Sequence, residues 1–308
     1  MKRYKQLLAA VLALVTVFSL SACGGSKSNE TTPSGDDSQE DLQTITFVLD
    51  WTPNTNHTGL YVAQKNGYFA DNGLEITIEQ PPEDGAEALV ASGKAQFGVS
   101  FQENVASALT ADSPLPITAV AALIQHNTSG FVTAADKNIT SPKDFEGKTY
   151  AGWGGPGEAA VLEAVMTQAG ADFSKLNMVV SDGSGFAALE NQADIMWFFE
   201  GWDNITCEMN HFPINYMPVR ELDDRLDYYT PVIIAGNDTL EQRPEMVKKF
   251  LKATEKGYQY AISHPEESAE NPPQVTRLTT PWKCSQKSQE FLAGKYMEDT
   301  DVWGNDDR

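Results

Sequence analysis

Histidine and cysteine are scarce in this 308-residue chain, four and three respectively, and their scarcity removes whole classes of chemistry. Apart from Cys23 near the start, only Cys207 and Cys284 are present, too few for a disulfide framework; one bridge is the most that an oxidising compartment allows. His126, His211 and His264 are too scattered for a metal-site pattern, and no metal or other cofactor is expected. Basic residues are outnumbered, 22 Lys and Arg against 43 Asp and Glu for a formal net charge of −21, which argues against nucleic acid as a partner. That acidic excess suits an exported protein kept soluble beside an anionic surface. There is no G-x-S-x-G nucleophile elbow, no Walker lysine, no dinucleotide glycine spacing and no internal repeat. No catalytic residue is assigned.

Long apolar runs are also missing, with one exception. Lys2, Arg3 and Lys5 precede an uncharged stretch from Gln6 to Ala22, and its apolar part, Leu7 to Leu20, is shorter than the ~20 residues needed to span a bilayer. This layout predicts a signal peptide over 1–22. Leu20-Ser21-Ala22-Cys23-Gly24 resembles the bacterial lipobox, which implies cleavage before Cys23 and lipid attachment to its thiol. Residues 26–41 carry no large apolar side chain, so 23–43 reads as a lipidated flexible tether. The expected location is the extracytoplasmic face of the cell membrane, held to membrane lipid through Cys23.

From Thr44 onward, short apolar runs alternate with helical patterns, the mark of an α/β fold. Strands expected at 45–49, 74–78, 97–100 and 117–123, with helices at 58–68, 85–91 and 103–110, complete one lobe over 44–128. A second lobe, 136–228, has strands at 148–153, 178–181, 195–199 and 214–219 and helices at 158–169, 186–191 and from about 203. Segments 129–135 and 229–235 are the expected hinge crossovers, and 236–308 rejoins the first lobe. The clearest helix is Pro244–Ser263, with proline in its first turn and Val247, Phe250, Leu251, Tyr258 and Ala261 on one face. After His264-Pro265 the pattern degrades around Pro272, Pro273 and Pro281. Ligands of open α/β sheets sit at the carboxyl ends of the strands, so the loops there are where chemistry is sought.

Three such loops stand out. In the first, Trp51 offers a flat face for a heteroaromatic ring or fills the core, Asn54 offers a donor and an acceptor or caps the turn after Pro53, and His57 is a functional group or a helix cap. In the second, Trp153 offers another ring face, and backbone N–H groups around Gly154, Gly155 and Gly157 are free to hold a ligand oxygen at a helix start. Glu158 there favours a neutral or cationic ligand, or simply complements the helix dipole. In the third, Asp194 to Asp203, a carboxylate can accept from an exocyclic amine. Glu200 is preferred because an acid closing a buried run needs a partner, while Asp203 also fits a helix N-cap and Trp197 a core position. Ser100 and Gln102 reach in from the third strand, and Glu103 suits a helix's first turn.

The run Leu49-Asp50-Trp51-Thr52-Pro53-Asn54-Thr55-Asn56-His57-Thr58-Gly59-Leu60-Tyr61-Val62-Ala63 resembles the signature segment of the thiamine-pyrimidine binding proteins of ABC importers and of the related fungal pyrimidine-precursor synthase. Asn66-Gly67-Tyr68-Phe69 followed by Gly73-Leu74-Glu75 is similar to a run of the wider group, and Asp194 to Asp203 resembles its segment of aromatic and acidic ligand residues. The resemblance covers roughly Thr44 to Ser268. It implies a type II periplasmic binding protein fold, two mixed sheets flanked by helices with a ligand cleft between two lobes. It also implies a small-molecule pyrimidine of the hydroxymethylpyrimidine or formylaminopyrimidine type as ligand, and a membrane ABC permease as partner. With the loops above, the candidate ligand set is Trp51, Asn54, His57, Tyr61, Ser100, Gln102, Trp153, Gly154, Gly155, Gly157, Glu158, Trp197, Glu200, Trp202 and Asp203.

Two other functions compete. His57 matches the position of a functional histidine in the fungal synthase, which the resemblance links to pyridoxal phosphate; against it, that family's cysteine-rich run is absent and an export signal is present. The same fold also serves importers of sulfonates, nitrate-like anions or riboflavin-like molecules, and the acids and tryptophans near the cleft argue against small anions. One departure bears on stability. The family carries a longer helical portion after a Trp-Gly such as Trp303-Gly304, and Asn271 to Lys283 looks unlike the helix expected, so an exposed first-lobe core is anticipated.

Overall fold

A computed structural model describes residues 42–82, 85–270, 282–298 and 302–304. The expected signal peptide, Cys23 and the tether up to residue 41 lie outside the described residues.

In the first lobe the chain runs through β1 (Gln43–Val48), α1 (Thr58–Lys65), β2 (Leu74–Glu79), α2 (Ala86–Ala91), β3 (Phe97–Ser100), α3 (Gln102–Thr110) and β4 (Ile117–Ala122). The second lobe holds β5 (Ser129–Ala134), β6 (Thr149–Gly152), α4 (Pro156–Gln168), β7 (Asn177–Val180), α5 (Ala188–Asn191), β8 (Ile195–Phe199), α6 (Ile205–Met209), β9 (Ile214–Pro218) and α7 (Val219–Leu222). The chain then returns through β10 (Val232–Gly236), α8 (Asn237–Gln242), α9 (Pro244–Ser263), α10 (Pro265–Ala269) and α11 (Trp282–Ala293). Each lobe is built on a mixed five-stranded sheet, ordered β2-β1-β3-β10-β4 and β7-β6-β8-β5-β9. β1 pairs parallel with β2 and β3, and the returning β10 is antiparallel to both β3 and β4. In the second sheet β6 is parallel to β7 and β8, and β5 is antiparallel to β8 and β9.

Burial explains the strand sequences. β3 and β5 are buried at every residue and read as continuous runs of small and apolar residues, as strands covered on both faces do. One face of the first sheet packs Phe47, Phe97 and Phe69 around Phe250 of α9, with ring centroids 5.7, 3.9 and 5.8 Å from it. α1 and α9 meet at glycine: a Cβ on Gly257 would stand 2.1 Å from the Gly59 carbonyl oxygen, so only hydrogen there permits this approach. Gly73, at φ 74°, closes the turn 70–72 and donates its N–H to Ala70 O.

The crossovers differ from their expected places. Ser129–Ala134 is β5, in the interior of the second sheet, and Val232–Gly236 is β10, in the interior of the first. The chain changes lobes over 123–128 and again over 223–231, and the two passages are tied together. Asn127 Nδ2 donates to Leu226 O at 3.0 Å, Leu123 N to Pro231 O at 2.9 Å, and His126 Nδ1 lies 2.8 Å from Asp227 Oδ2. An apolar β-rich run looks the same in sequence whether it is a hinge or a sheet interior, which is why 129–135 and 229–235 read as hinge crossovers.

The anticipated exposure of the first-lobe core is corrected among the described residues. Leu292 and Tyr296 are buried, and Trp303, 4% exposed, lies over Tyr258 while Gly304 forms a β-bridge with Ala122. Trp282 and Lys283, expected to be irregular, begin α11; most of Asn271 to Lys283 lies outside the described residues.

Candidate functional site

Where β1 ends, Trp51 is 62% exposed, an unusual cost for an indole unless something covers it. Asn54 caps the following turn: its Oδ1 accepts from Asn56 N at 2.9 Å, and His57 completes the capping box. His57 is fully buried. Its Nδ1 accepts the Asn54 N–H at 3.1 Å, so the ring proton sits on Nε2 and points to Asp50 Oδ1 at 2.5 Å. Both ring nitrogens are thus taken. Tyr61 packs half-buried against the first-lobe core, and burial pushes its phenol up to about 12. At the end of β3, Ser100 is buried and donates to Glu87 Oε1 at 2.5 Å, while Gln102 Oε1 accepts Tyr229 N–H at 3.1 Å.

The second lobe supplies a tight constellation at the end of β6. Glu158, in the first turn of α4, is fully buried and turns back over the glycine turn. Tyr150 Oη and Trp153 N donate to its Oε1 at 2.5 and 3.1 Å, and Gly154 N donates to Oε2 at 2.7 Å. Gly152 is required here, because a Cβ would fall 1.8 Å from Glu158 Oε1, and Gly154 takes φ 81°, in the left-handed region. Burial first, and then the neighbouring carboxylate, holds the Tyr150 phenol protonated far above its usual range. The consequence is that this helix start carries its own anion, and N–H groups expected to hold a ligand oxygen are partly spent. Gly155 is the N-cap of α4, and Gly157 is buried against the other lobe.

Trp153, 41% exposed, lies 5.2 Å from the buried Trp197 at 51°. Trp197 is a core residue of β8, as one of its two readings had it, and its Nε1 has no hydrogen-bond partner among the described residues. Beyond β8 the chain makes a wide π turn over Glu200–Asn204, a geometry enriched at functional positions. Glu200 is not a lone acid: Arg220 lies 3.0 Å away and also donates to Asn127 O at 2.6 Å. Nothing in the sequence pattern flagged Arg220. Asp203 is not the N-cap of α6, a place held by Asn204. Its Oδ2 accepts Phe199 N–H at 3.0 Å, and burial holds its carboxyl up at about 6. Trp202 is half-buried in the same turn.

The lobes touch where α3 and α4 begin. Phe101 and Phe199 stack across the seam at 5.9 Å, and a Cβ on Gly157 would lie 3.2 Å from Glu103 Cγ. A cavity of about 380 Å³ beside this seam is lined by Gln102, Val105, Ala119, Asp227, Tyr228, Tyr229 and Val232; Gln102 is its one residue from the expected ligand set. Cys207 and Cys284 are both buried thiols without a bridge. Among the described residues no group of His, Cys, Asp and Glu is arranged to hold a metal, and no helix is long and apolar enough to cross a membrane.

Comparison with known proteins converges on one family. The family model described as NMT1/THI5 like matches residues 54–268. The chain belongs to this family. A formylaminopyrimidine-binding protein of Halalkalibacterium halodurans is 28% identical over 269 residues, covering 83% of this chain and 75% of the relative. A 4-amino-5-hydroxymethyl-2-methylpyrimidine phosphate synthase of Legionella pneumophila is 26% identical, covering 73% and 72%. The periplasmic aliphatic sulphonate binding protein SsuA of Escherichia coli shares the fold, with a TM-score of 0.63 at 12% identity over 80% of this chain and 82% of that one. The fold is therefore that of the periplasmic binding proteins, as the resemblance implied.

Proposed function

We propose that this NMT1/THI5-like chain is the extracytoplasmic, lipid-anchored binding protein of an ABC importer, capturing a thiamine-precursor pyrimidine of the hydroxymethyl or formylamino type between its lobes. The carrying observation is the second-lobe turn, where an exposed Trp153 ring stands beside a helix start already neutralised by buried Glu158. A flat apolar face favours a heteroaromatic ring. A helix N-terminus that holds its own carboxylate disfavours phosphate, sulfonate or nitrate there. Trp51 gives the first lobe a comparable exposed face. Closure about the crossovers at 123–128 and 223–231 would bring such faces onto the ligand. The likeness to a formylaminopyrimidine-binding protein supports the same ligand class.

His57 bears on the rival, a pyrimidine-precursor synthase. A catalytic histidine needs a ring nitrogen within reach of substrate, and here Asn54 N and Asp50 Oδ1 occupy both. That favours capture without reaction. Calorimetric titration against aminopyrimidines, an alkanesulfonate and nitrate tests the ligand class, and saturation by either anion with silence from the pyrimidines would refute it. Formation of pyrimidine phosphate by the purified protein would overturn the binding-only reading. Mass spectrometry of the membrane fraction should find Cys23 as a diacylglyceryl N-terminus; an unmodified Met1 would contradict the anchor.

A further inference from the structure

The seam between the lobes contains an acid that the ligand set does not account for. Glu103 lies in the first turn of the nine-residue α3, facing Gly157 of α4 in the other lobe. Its Oε2 and the Tyr228 hydroxyl are buried and neither makes a well-formed hydrogen bond among the described residues, although the two groups lie near enough for each to act on the other's proton. Buried polar atoms left without a well-formed hydrogen bond are costly, so such a pair at a seam between lobes is unusual outside a functional site. Gly157 provides the space: a Cβ there would crowd Glu103 Cγ at 3.2 Å and Asn104 Oδ1 at 3.6 Å. Gln102, next in sequence, and Tyr228 both line the cavity of about 380 Å³ at this seam. The other two acids considered for the ligand are engaged, Glu200 with Arg220 and Asp203 with Phe199 N–H.

We propose that Glu103 is the anchoring carboxyl of the ligand, reading the amine and the adjacent ring nitrogen of an aminopyrimidine as a pair. This rests on the ligand class proposed above and adds the residue that selects it. One carboxyl oxygen accepts an N–H of the exocyclic amine. The other holds a single proton shared with the ring nitrogen, either as a carboxylic O–H donating to nitrogen or, once that proton has moved, as a carboxylate accepting from ring N–H⁺. The O–H bond broken and the N–H bond formed balance, and nothing else is consumed. An oxo analogue presents a ring N–H beside a carbonyl, so it meets the neutral carboxyl in the reverse sense but sets its carbonyl against a carboxylate oxygen, a clash that an aminopyrimidine avoids through ring N–H⁺; the preference for amine over oxo therefore belongs to the ionised pair.

The electrostatics fit this use. Burial holds the Glu103 carboxyl up at about 7, opposed by its own backbone N–H and then by the Tyr228 hydroxyl, and assisted last by the charge of Glu87 from α2. From α4 the facing residue is Gly157, while the Glu158 carboxyl is turned away onto Tyr150, Trp153 and Gly154. A group poised there holds its proton below neutral pH, shares it about equally near 7 and gives it up above.

The test is titration of 4-amino-5-hydroxymethyl-2-methylpyrimidine and its 4-oxo analogue into the protein, E103Q and E103M, from pH 6 to 8.5. Glutamine presents the same acceptor and donor without a titrating proton, so E103Q should bind within about threefold of the parent at pH 6.5 with a flat pH profile. The parent's affinity should fall above pH 7, by up to tenfold per unit. E103M should lose at least tenfold, together with the preference for amine over oxo. If E103M does not fold, the parent and E103Q profiles decide alone. Unchanged binding by E103M, or one pH profile shared by parent and E103Q, would overturn the assignment while leaving the ligand class intact. A parent protein that binds no aminopyrimidine at any pH would overturn both.

Discussion

Trp303 lies flat on Tyr258, ring centroids 4.5 Å apart and planes 9° from parallel. Tyr258 in turn donates its hydroxyl to Asn56 O at 2.6 Å, and Tyr296, packed edge-on to it at 5.0 Å, donates to Thr55 O at 2.7 Å. The late aromatic residues therefore hold from below the turn that carries Trp51, Asn54 and His57. Sequence distance is irrelevant to this support; 241 positions separate Thr55 and Tyr296.

Trp303→Ala should destabilise the protein by about 3 kcal/mol, the usual scale for emptying a buried indole site, and lower the melting temperature in a scan. It should also weaken ligand binding, because the turn loses its floor. A melt within a degree of the parent's would show that the stack contributes nothing.

Glu158→Ala removes the acceptor for Tyr150 Oη, Trp153 N and Gly154 N at once. With the buried Tyr150 hydroxyl and two part-buried N–H groups unmet, the loss should reach about 3 kcal/mol, and the Trp153 near-ultraviolet dichroism should change as its loop loosens. Glu158→Gln keeps one good acceptor and should fall between. Equal melts for both variants and the parent would mean that the carboxylate does not organise the turn.

Acidic residues with raised folded-state pKa values give an unusual pH dependence. Burial holds Asp203 up at about 6, above its ordinary value of 3.8. Between those two values the unfolded chain has released the proton that the folded chain keeps. The stabilisation is therefore complete below about 4, lost as pH rises through 6, and flat above. Asp203→Asn, which keeps the acceptor for Phe199 N–H, should gain in melting temperature relative to the parent on going from pH 4.5 to 7.5. A difference constant across that range would contradict the buried-acid account.

The fold was legible because its signals are local. The period-two pattern at Leu74 to Ile78, the caps at Gly73 and Pro244, and the apolar runs at 97–100 and 195–199 fix elements within a residue or two. What was hidden depends on partners distant in the chain. Ser129–Ala134 cannot be told from a hinge until β8 and β9 are seen on either side of it. Glu200 looks like an unmatched acid until Arg220 is in place. Glu103 looks like an ordinary first-turn acid, favourable for the helix dipole, until Gly157 of the other lobe is seen against its side chain and its Oε2 is found buried. His57 fits equally well as a reactive group or a cap in sequence, and only the burial of its ring with Asp50 decides for the cap.

The most direct test is a calorimetric titration of the purified protein with 4-amino-5-hydroxymethyl-2-methylpyrimidine and with its formylamino counterpart, run beside Trp51→Ala and Trp153→Ala. The account predicts saturable one-to-one binding by at least one of the two, at least tenfold weaker in one or both tryptophan variants, with protein melts unchanged. Absence of binding heat for both pyrimidines, or equal affinity in parent and both variants, would contradict it.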